Sequence, residues 1–325
     1  MIEVTPTNVA QPSVAQGIRR KRRRRKKDDL MLLFLALPGI LFFLVFSYSP
    51  MVGIVVAFKN FDISAGIWNS PWNGLQNFVF FFSSNDAARV LLNTLFLNTL
   101  FIIGTTLTSV WIAIFLNEIR LRTFKRVLQS SLLLPYFMSW VVISMMLQEL
   151  LNGISGSPPL FNQWLSLMGL HGIDWFLTPT VWPVILTLVK IWQGSGYLSI
   201  IYLAAITSIP EEVYEAARID GSSSAQTAWR ITFPLLIPTI LILLLLSVGR
   251  IFYGDFGMIY AVIGDNGVLF PTTDVIDTYV FRALRQSGDL GMTAAIGLFQ
   301  SVVGLVLVVL ANWAARRYSP DTALF

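Results

Sequence analysis

The chain has 325 residues, of which 55% are hydrophobic and only 13% are charged, and its formal net charge is +5. Because soluble globular domains carry roughly 25% charged residues, this composition excludes an ordinary soluble domain and predicts an integral membrane protein. The sequence has no cysteine and a single histidine, which excludes disulfides, thiol catalysis and metal sites built from thiolates or several imidazoles. We therefore expect this chain to bind no metal and no cofactor.

The first 29 residues are predicted to form a cytoplasmic tail. Nine consecutive cations occupy residues 19–27, directly before the first apolar stretch. Such a block could contact nucleic acid, but its position beside a long hydrophobic segment favours an anchor to anionic lipid headgroups, and we expect no nucleic-acid partner. The apolar stretch at 30–58 is too long for a signal-peptide core, so it is interpreted as a retained transmembrane helix with its span at 30–48.

Five further apolar stretches are long enough to cross a bilayer. They cover residues 90–116, 127–150, 181–206, 231–253 and 291–314. The predicted fold class is an all-α integral membrane protein of about six transmembrane helices, with the membrane domain at 30–315 and a C-terminal tail at 316–325. The loop before the last span carries five aspartates, which we expect to form a solvated face.

The distribution of cations predicts the orientation. With the N-terminus inside, 17 lysines and arginines fall on the inner side and four on the outer side, while Lys190 and Arg250 lie within spans. This bias follows the positive-inside rule and places both termini in the cytoplasm.

A short helix is predicted at 209–219, on the cytoplasmic side. Ser208 and Glu211 have the spacing of a capping box, Pro210 suits a first turn, and Gly221 suits a left-handed C-terminal cap. About 11 residues span only about 16 Å, so this helix cannot cross a membrane. It is either a solvated connector or a docking element.

The run EAARIDGSSSAQTAWRITFPLLIPTI, which starts at Glu215, resembles the EAA motif of permeases of binding-protein-dependent ABC importers. One departure is Ala228, where sugar permeases of this family often carry an aromatic residue. The matching positions are Glu215, Ala216, Ala217, Asp220, Gly221, Ile231, Pro234 and Pro238.

This resemblance implies a type I ABC importer permease fold and a role for residues 209–221 as the coupling helix that docks into an ATP-binding subunit. Its implied coupling residues are Glu215, Ala216, Ala217, Arg218, Asp220 and Gly221. No GxxxxGK[ST] phosphate-binding loop is present, so ATP and magnesium are expected on a partner. The implied partners are a second, homologous permease, two ATP-binding subunits and a periplasmic solute-binding protein, in a bacterial inner membrane.

A second resemblance concerns substrate class. Residues 47–82 are similar to the start of permeases in the polysaccharide-uptake branch of the maltose-type family, and within it to the larger permease subunit of alginate importers. The shared features are Pro50, Gly53, the run 57–59, Pro71, Trp72, Gly74, Asn77 and Phe78.

Candidate pathway residues follow from polar side chains inside spans, which are costly in lipid. Lys190 is central in the fourth span, and Trp192, Gln193 and Tyr197 near it could stack on and hydrogen-bond a sugar. Alternatively, Lys190 snorkels or pairs with an acid on another helix. Glycines 194 and 196 either loosen this helix or pack it against a neighbour.

Arg250 is the second intramembrane cation, near the outer end of the fifth span, where it could also reach the interface or pair with Asp255. Two cations would suit an acidic sugar. Three other interpretations stay open: an ABC permease for a neutral sugar, an ion-coupled secondary transporter and a membrane enzyme. The last two are disfavoured because the spans lack mid-depth acids and paired catalytic groups.

Overall fold

The computed structural model describes residues 21–153 and 158–318, which form helices and turns without a β-strand. Most of the predicted N-terminal tail and the last seven residues of the predicted C-terminal tail lie outside the described residues. The chain divides into two compact units, Met1–Val55 and Val56–Phe325.

The first unit contains helix α1, Lys21–Phe43, followed by a π-helical turn over Leu44–Tyr48 and the start of a 3₁₀ helix, Ser49–Phe58. Helix α1 begins inside the basic block, earlier than the predicted start at residue 30. Pro38 lies within it without ending it. The candidate membrane span covers Met31–Phe58, with a mean hydropathy of 2.3, so the first predicted span is confirmed but is ten residues longer at its C-terminal end.

The second unit contains fourteen α-helices within the described residues. They are α2 Gly66–Asn69, α3 Gln76–Phe82, α4 Ala87–Glu118, α5 Arg122–Leu133, α6 Trp140–Asn152, α7 Leu160–Leu167, α8 Trp182–Thr207, α9 Glu211–Ile219, α10 Ser224–Thr227, α11 Phe233–Val248, α12 Phe256–Ile263, α13 Phe270–Thr273, α14 Ile276–Ser287 and α15 Leu290–Tyr318.

The long helices α4 and α8 pack along each other and organise the apolar core. Three buried clusters lie along α4. Its middle packs with α8 and α12 through Leu97, Phe101, Trp182, Leu186 and Met258. Its C-terminal part packs with α8 and α11 around Leu116 and Leu236. Its start packs with α3, α14 and α15 around Val90.

Within the described residues, five helical segments are long and apolar enough to span a membrane, and a sixth span exists if one bent pair counts as one. The bent pair replaces the predicted continuous third span. Residues Arg122–Phe137 and Trp140–Asn152 meet at 92°. Pro135 has no backbone N–H and lies in a 3₁₀ turn, after which Ser139 starts α6 by accepting a hydrogen bond from the Val142 N–H.

The loop predicted before the last span is instead the three helices α12, α13 and α14, and the expected solvated face of aspartates is wrong. Only Asp265 is exposed. Asp274 is buried, with an exposed fraction of 1%, and Asp277 and Asp289 are partly covered. Asp274 pairs with Arg282 at 2.6 Å, while Asp289 accepts a hydrogen bond from the Met292 N–H in the first turn of α15.

Candidate translocation cavity and coupling helix

A polar cavity of about 450 Å³ lies between the middle of α4, the middle of α8, the end of α11 and the turn that leads to α12. Lys190 and Arg250, which are 60 residues apart in sequence, both belong to the wall of this cavity. Its lining residues are Asn98, Phe101, Ile102, Thr105, Thr106, Lys190, Leu198, Tyr202, Leu243, Ser247, Arg250, Tyr253, Gly254, Asp255 and Phe256.

Lys190 forms an ion pair in this wall, which confirms the alternative of pairing with an acid on another element. Its Nζ lies 2.5 Å from Oδ2 of Asp255 and 5.3 Å from the centre of the Trp140 ring. The other oxygen of Asp255, Oδ1, accepts a hydrogen bond of 3.2 Å from the Met258 N–H and so caps α12. Asp255 thus joins the middle of α8 to the start of α12.

Arg250 is not inside a helix as predicted, because α11 ends at Val248 and a tight turn follows. The alternative that Arg250 pairs with Asp255 is wrong, since Asp255 pairs with Lys190 instead. Among the described residues, Arg250 has no ion-pair or hydrogen-bond partner for its guanidinium, and its side chain is exposed. It therefore offers five N–H donors to whatever enters the cavity.

Three other predicted pathway residues do not line the cavity. Gln193 is buried and donates a hydrogen bond to the Tyr136 carbonyl, and Tyr197 stacks on the Tyr136 ring with 4.4 Å between centroids. Trp192 is about half exposed. The bent pair covers this face of α8, so Gln193 and Tyr197 contact protein rather than the cavity.

Helix α8 is continuous through both glycines, so the interpretation that they loosen it is wrong. A Cβ on Gly196 would overlap the backbone carbonyl oxygen of Leu132 in α5. A Cβ on Gly194 would only make an ordinary contact, 3.8 Å from the Thr105 methyl group. Gly196 is therefore required for the close approach of α5 to α8.

The turn that carries Arg250 is fixed by residues that sequence reasoning did not assign to the site. The Asn98 side chain donates to the carbonyls of Ile251 and Tyr253, at 2.7 and 3.1 Å. The Asp277 carboxylate accepts a hydrogen bond from the Gly254 N–H at 2.5 Å. Burial raises the pKa of the Asp277 carboxyl, against the effect of that hydrogen bond. The sequence signal for this arrangement is Asn98, a polar amide inside the second predicted span.

The predicted short helix exists as α9, but it has nine residues rather than eleven and its capping box is absent. Pro210 is the N-cap residue and no side chain caps the helix. The Ser208 hydroxyl instead donates to the Ala205 carbonyl at the end of α8. At the other end, Gly221 has a φ of 73°, as predicted for a left-handed cap.

The C-terminal cap of α9 is a complete Schellman motif. The Ser222 N–H donates to the Ala217 carbonyl at 2.9 Å, and the Gly221 N–H donates to the Arg218 carbonyl at 3.1 Å. Among the motif residues, Glu215, Ala216, Arg218 and Asp220 are exposed. Ala217 is only 5% exposed because it packs within its own chain. Of the two alanines, only Ala216 is exposed to solvent.

Comparison with known proteins decides the family. A family described as binding-protein-dependent transport system inner membrane component matches residues 95–320, well over half of the chain. The chain belongs to this family. The family's inner membrane components are permease subunits and not enzymes, since ATP is hydrolysed by a separate subunit. The helical arrangement of the described residues, five candidate spans and one bent pair, is a type I importer permease fold.

Similar proteins agree with this assignment over most of the chain. The polygalacturonan/rhamnogalacturonan transport system permease protein YteP of Bacillus subtilis (strain 168) is 34% identical over 285 residues, covering 88% of this chain and 87% of that protein. A chain from the crystal structure of a bacterial ABC transporter involved in the import of the acidic polysaccharide alginate is 33% identical, with a TM-score of 0.81 and coverage of 91% and 99%.

A second crystal structure holds the bacterial alginate ABC transporter in complex with an alginate pentasaccharide-bound periplasmic protein. Its matching chain is 32% identical, has a TM-score of 0.81 and covers 92% of this chain and 99% of that one. Both matches cover more than nine tenths of this chain, so this permease shares its helical scaffold with chains of alginate transporters.

Proposed function

We propose that this permease forms, with a second permease, the path by which an ATP-driven importer carries an acidic oligosaccharide into the cell. The observation that carries the substrate class is the cavity itself, which is lined by both Lys190 and Arg250 and in which Arg250 has no partner among the described residues. The Lys190–Asp255 pair is close to neutral as a unit, so Arg250 leaves the wall with a formal excess of one positive charge. A carboxylate would neutralise it.

The cavity also offers the other groups that a sugar needs. Hydroxyl and amide side chains from α4 and α11 (Asn98, Thr105 and Ser247) can bond sugar hydroxyls. Aromatic rings at Phe101, Tyr253 and Phe256 can cover the apolar face of a sugar ring. Similarity to an alginate transporter and to a polygalacturonan permease supports the acidic class.

The energy source in this proposal is a pair of ATP-binding subunits that contact α9. The exposed side chains Glu215 and Arg218 and the small residue Ala216 form the docking surface, while the cap at Gly221 fixes the end of the helix. The cation distribution supports a cytoplasmic position for α9 and for both termini. A periplasmic solute-binding protein, as in the similar alginate transporter, delivers the sugar to the opposite side.

Arg250→Gln tests the substrate class. Loss of a charge-assisted contact costs about 1.5–3 kcal/mol, so we expect kcat/KM for uptake of an alginate pentasaccharide to fall about tenfold to a hundredfold. Uptake of the same pentasaccharide with its carboxylates reduced to alcohols is expected to change less than twofold. The assay uses the whole importer in vesicles with its solute-binding protein.

Arg316→Gln is the matched control, because Arg316 is an exposed arginine in the last turn of α15, away from the cavity. We expect it to leave both rates unchanged. Equal losses with the acidic and the reduced sugar in Arg250→Gln, or faster wild-type uptake of the reduced sugar, would assign the cavity to a neutral glycan.

A further inference from the structure

Asp255 already binds Lys190 and would therefore compete with the carboxylate of an acidic substrate for the Lys190 ammonium group. Asp255 Oδ2 sits at 2.5 Å from the Lys190 ammonium, the position that a substrate carboxylate would need. The pair lines the cavity and is not sealed off, since the two side chains are 27% and 24% exposed. A sugar in the cavity can therefore reach Lys190 directly.

The two carboxylate oxygens of Asp255 have different partners, so Asp255 can release Lys190 and still cap helix α12. Oδ1 stays bonded to the Met258 N–H at the start of α12, where the helix dipole also favours a negative charge. Lys190 in turn keeps its position over the Trp140 ring when Oδ2 leaves. Only one contact has to break, and an equivalent one with the substrate carboxylate forms.

Resting on the function proposed above, we propose that Asp255 is a specificity-determining residue that occupies Lys190 in the empty cavity and is displaced by the carboxylate of an acidic sugar. The exchange replaces one carboxylate–ammonium contact by another, so its electrostatic cost is small for an acidic sugar. A neutral sugar has no group that matches the lost ion pair and must leave the pair intact. Asp255 therefore weakens the binding of acidic sugars, which must displace it, and leaves the binding of neutral sugars unaffected.

The alternative is a purely structural ion pair that ties α8 to α12. The two ideas differ in one measurable respect. A structural pair, when removed, changes uptake of acidic and neutral sugars alike, whereas a competitor, when removed, changes only the acidic one.

The test is Asp255→Asn, because asparagine is as good an N-cap as aspartate but carries no charge. In the whole importer in vesicles, we expect its KM for an alginate pentasaccharide to fall about tenfold, since Lys190 is then free and a like charge is gone. The KM for the carboxyl-reduced pentasaccharide is expected to stay within about twofold. Asp255→Ser, which also caps helices, is expected to behave in the same way and covers the case in which one variant fails to assemble.

Asp289→Asn is the control, because Asp289 caps the first turn of α15 through the Met292 N–H in the same manner but lies outside the cavity lining. We expect it to change neither KM. Equal shifts for the acidic and the reduced sugar, or a higher KM for the acidic one in both Asp255 variants, would overturn the competitor role while leaving the proposed function standing. A wild-type preference for the reduced sugar would overturn both.

Discussion

Replacing Asp274 by alanine is expected to destabilise the purified protein by about 3–5 kcal/mol, because it leaves the largely buried Arg282 without its carboxylate. The Asp274 side chain has no exposed surface. It holds Arg282 at 2.6 Å, accepts the Thr278 hydroxyl at 2.8 Å and lies 3.7 Å from Arg89 of α4. The measurement is the free energy of unfolding in detergent.

Asp265→Ala is the matched control for this experiment. Asp265 pairs with Arg285, one helical turn beyond Arg282, at the similar distance of 2.7 Å, but these side chains are 41% and 54% exposed. Water screens such a pair and replaces it when it is lost, so we expect no measurable change. If both variants were equally stable, the buried cluster would not hold α14 against α4.

Replacing Gly196 by alanine is expected to cost about 3 kcal/mol or more, at the upper end of what overpacking costs. The new methyl group would overlap the Leu132 carbonyl oxygen, which belongs to the backbone of α5 and cannot rotate away. We expect α5 to be pushed from α8 and the stack of Tyr136 on Tyr197 to open. Thermal unfolding and the yield of folded protein from membranes measure the loss.

Gly194→Ala is expected to change stability in the opposite direction from Gly196→Ala. It lies two residues away in the same helix, where its methyl group would contact only the Thr105 methyl at 3.8 Å. Alanine is favoured over glycine by about 1 kcal/mol inside a helix, so this variant should be neutral or more stable. Equal destabilisation by the two substitutions would mean that helix flexibility, not close packing, explains the glycines.

Hydropathy was sufficient to predict the continuous spans, because length and apolar content directly reflect the thickness of the bilayer. Hydropathy does not predict the break in the third span. The turn Leu134–Phe137 is as apolar as the helices around it, and a hydropathy window does not report a change in the direction of the chain. Pro135 and Ser139 are the local signals for the bend, since a missing N–H is followed by a capping hydroxyl.

The site was predicted only in part, because its residues meet through tertiary packing. Lys190 and Arg250 were both identified from their cost in a membrane, but not their shared cavity. Trp192, Gln193 and Tyr197 are near Lys190 in sequence, but Gln193 and Tyr197 contact Tyr136 of the bent pair, and Trp192 does not line the cavity. Asp255 was regarded as solvated because its loop looked polar, although its position before an apolar segment fits an N-cap.

The short helix α9 was predicted from the EAA motif and its C-terminal glycine more reliably than from its N-terminal pattern. Gly221 ends the helix through a positive φ, a backbone conformation that favours glycine. Ser208 and Glu211 have the spacing of a capping box, but Pro210 takes the N-cap position and the Ser208 hydroxyl bonds to the preceding helix. Spacing alone could not distinguish these two partners.

The most direct test of the ATP-driven import of an acidic sugar is uptake of labelled alginate pentasaccharide into vesicles that contain the whole importer, with its solute-binding protein outside. Either ATP or a non-hydrolysable analogue is enclosed on the side of α9. We expect accumulation with ATP and none with the analogue, whatever ion gradient is imposed. Uptake that persists with the analogue, or that follows a proton or sodium gradient, would contradict the proposal and favour a secondary transporter.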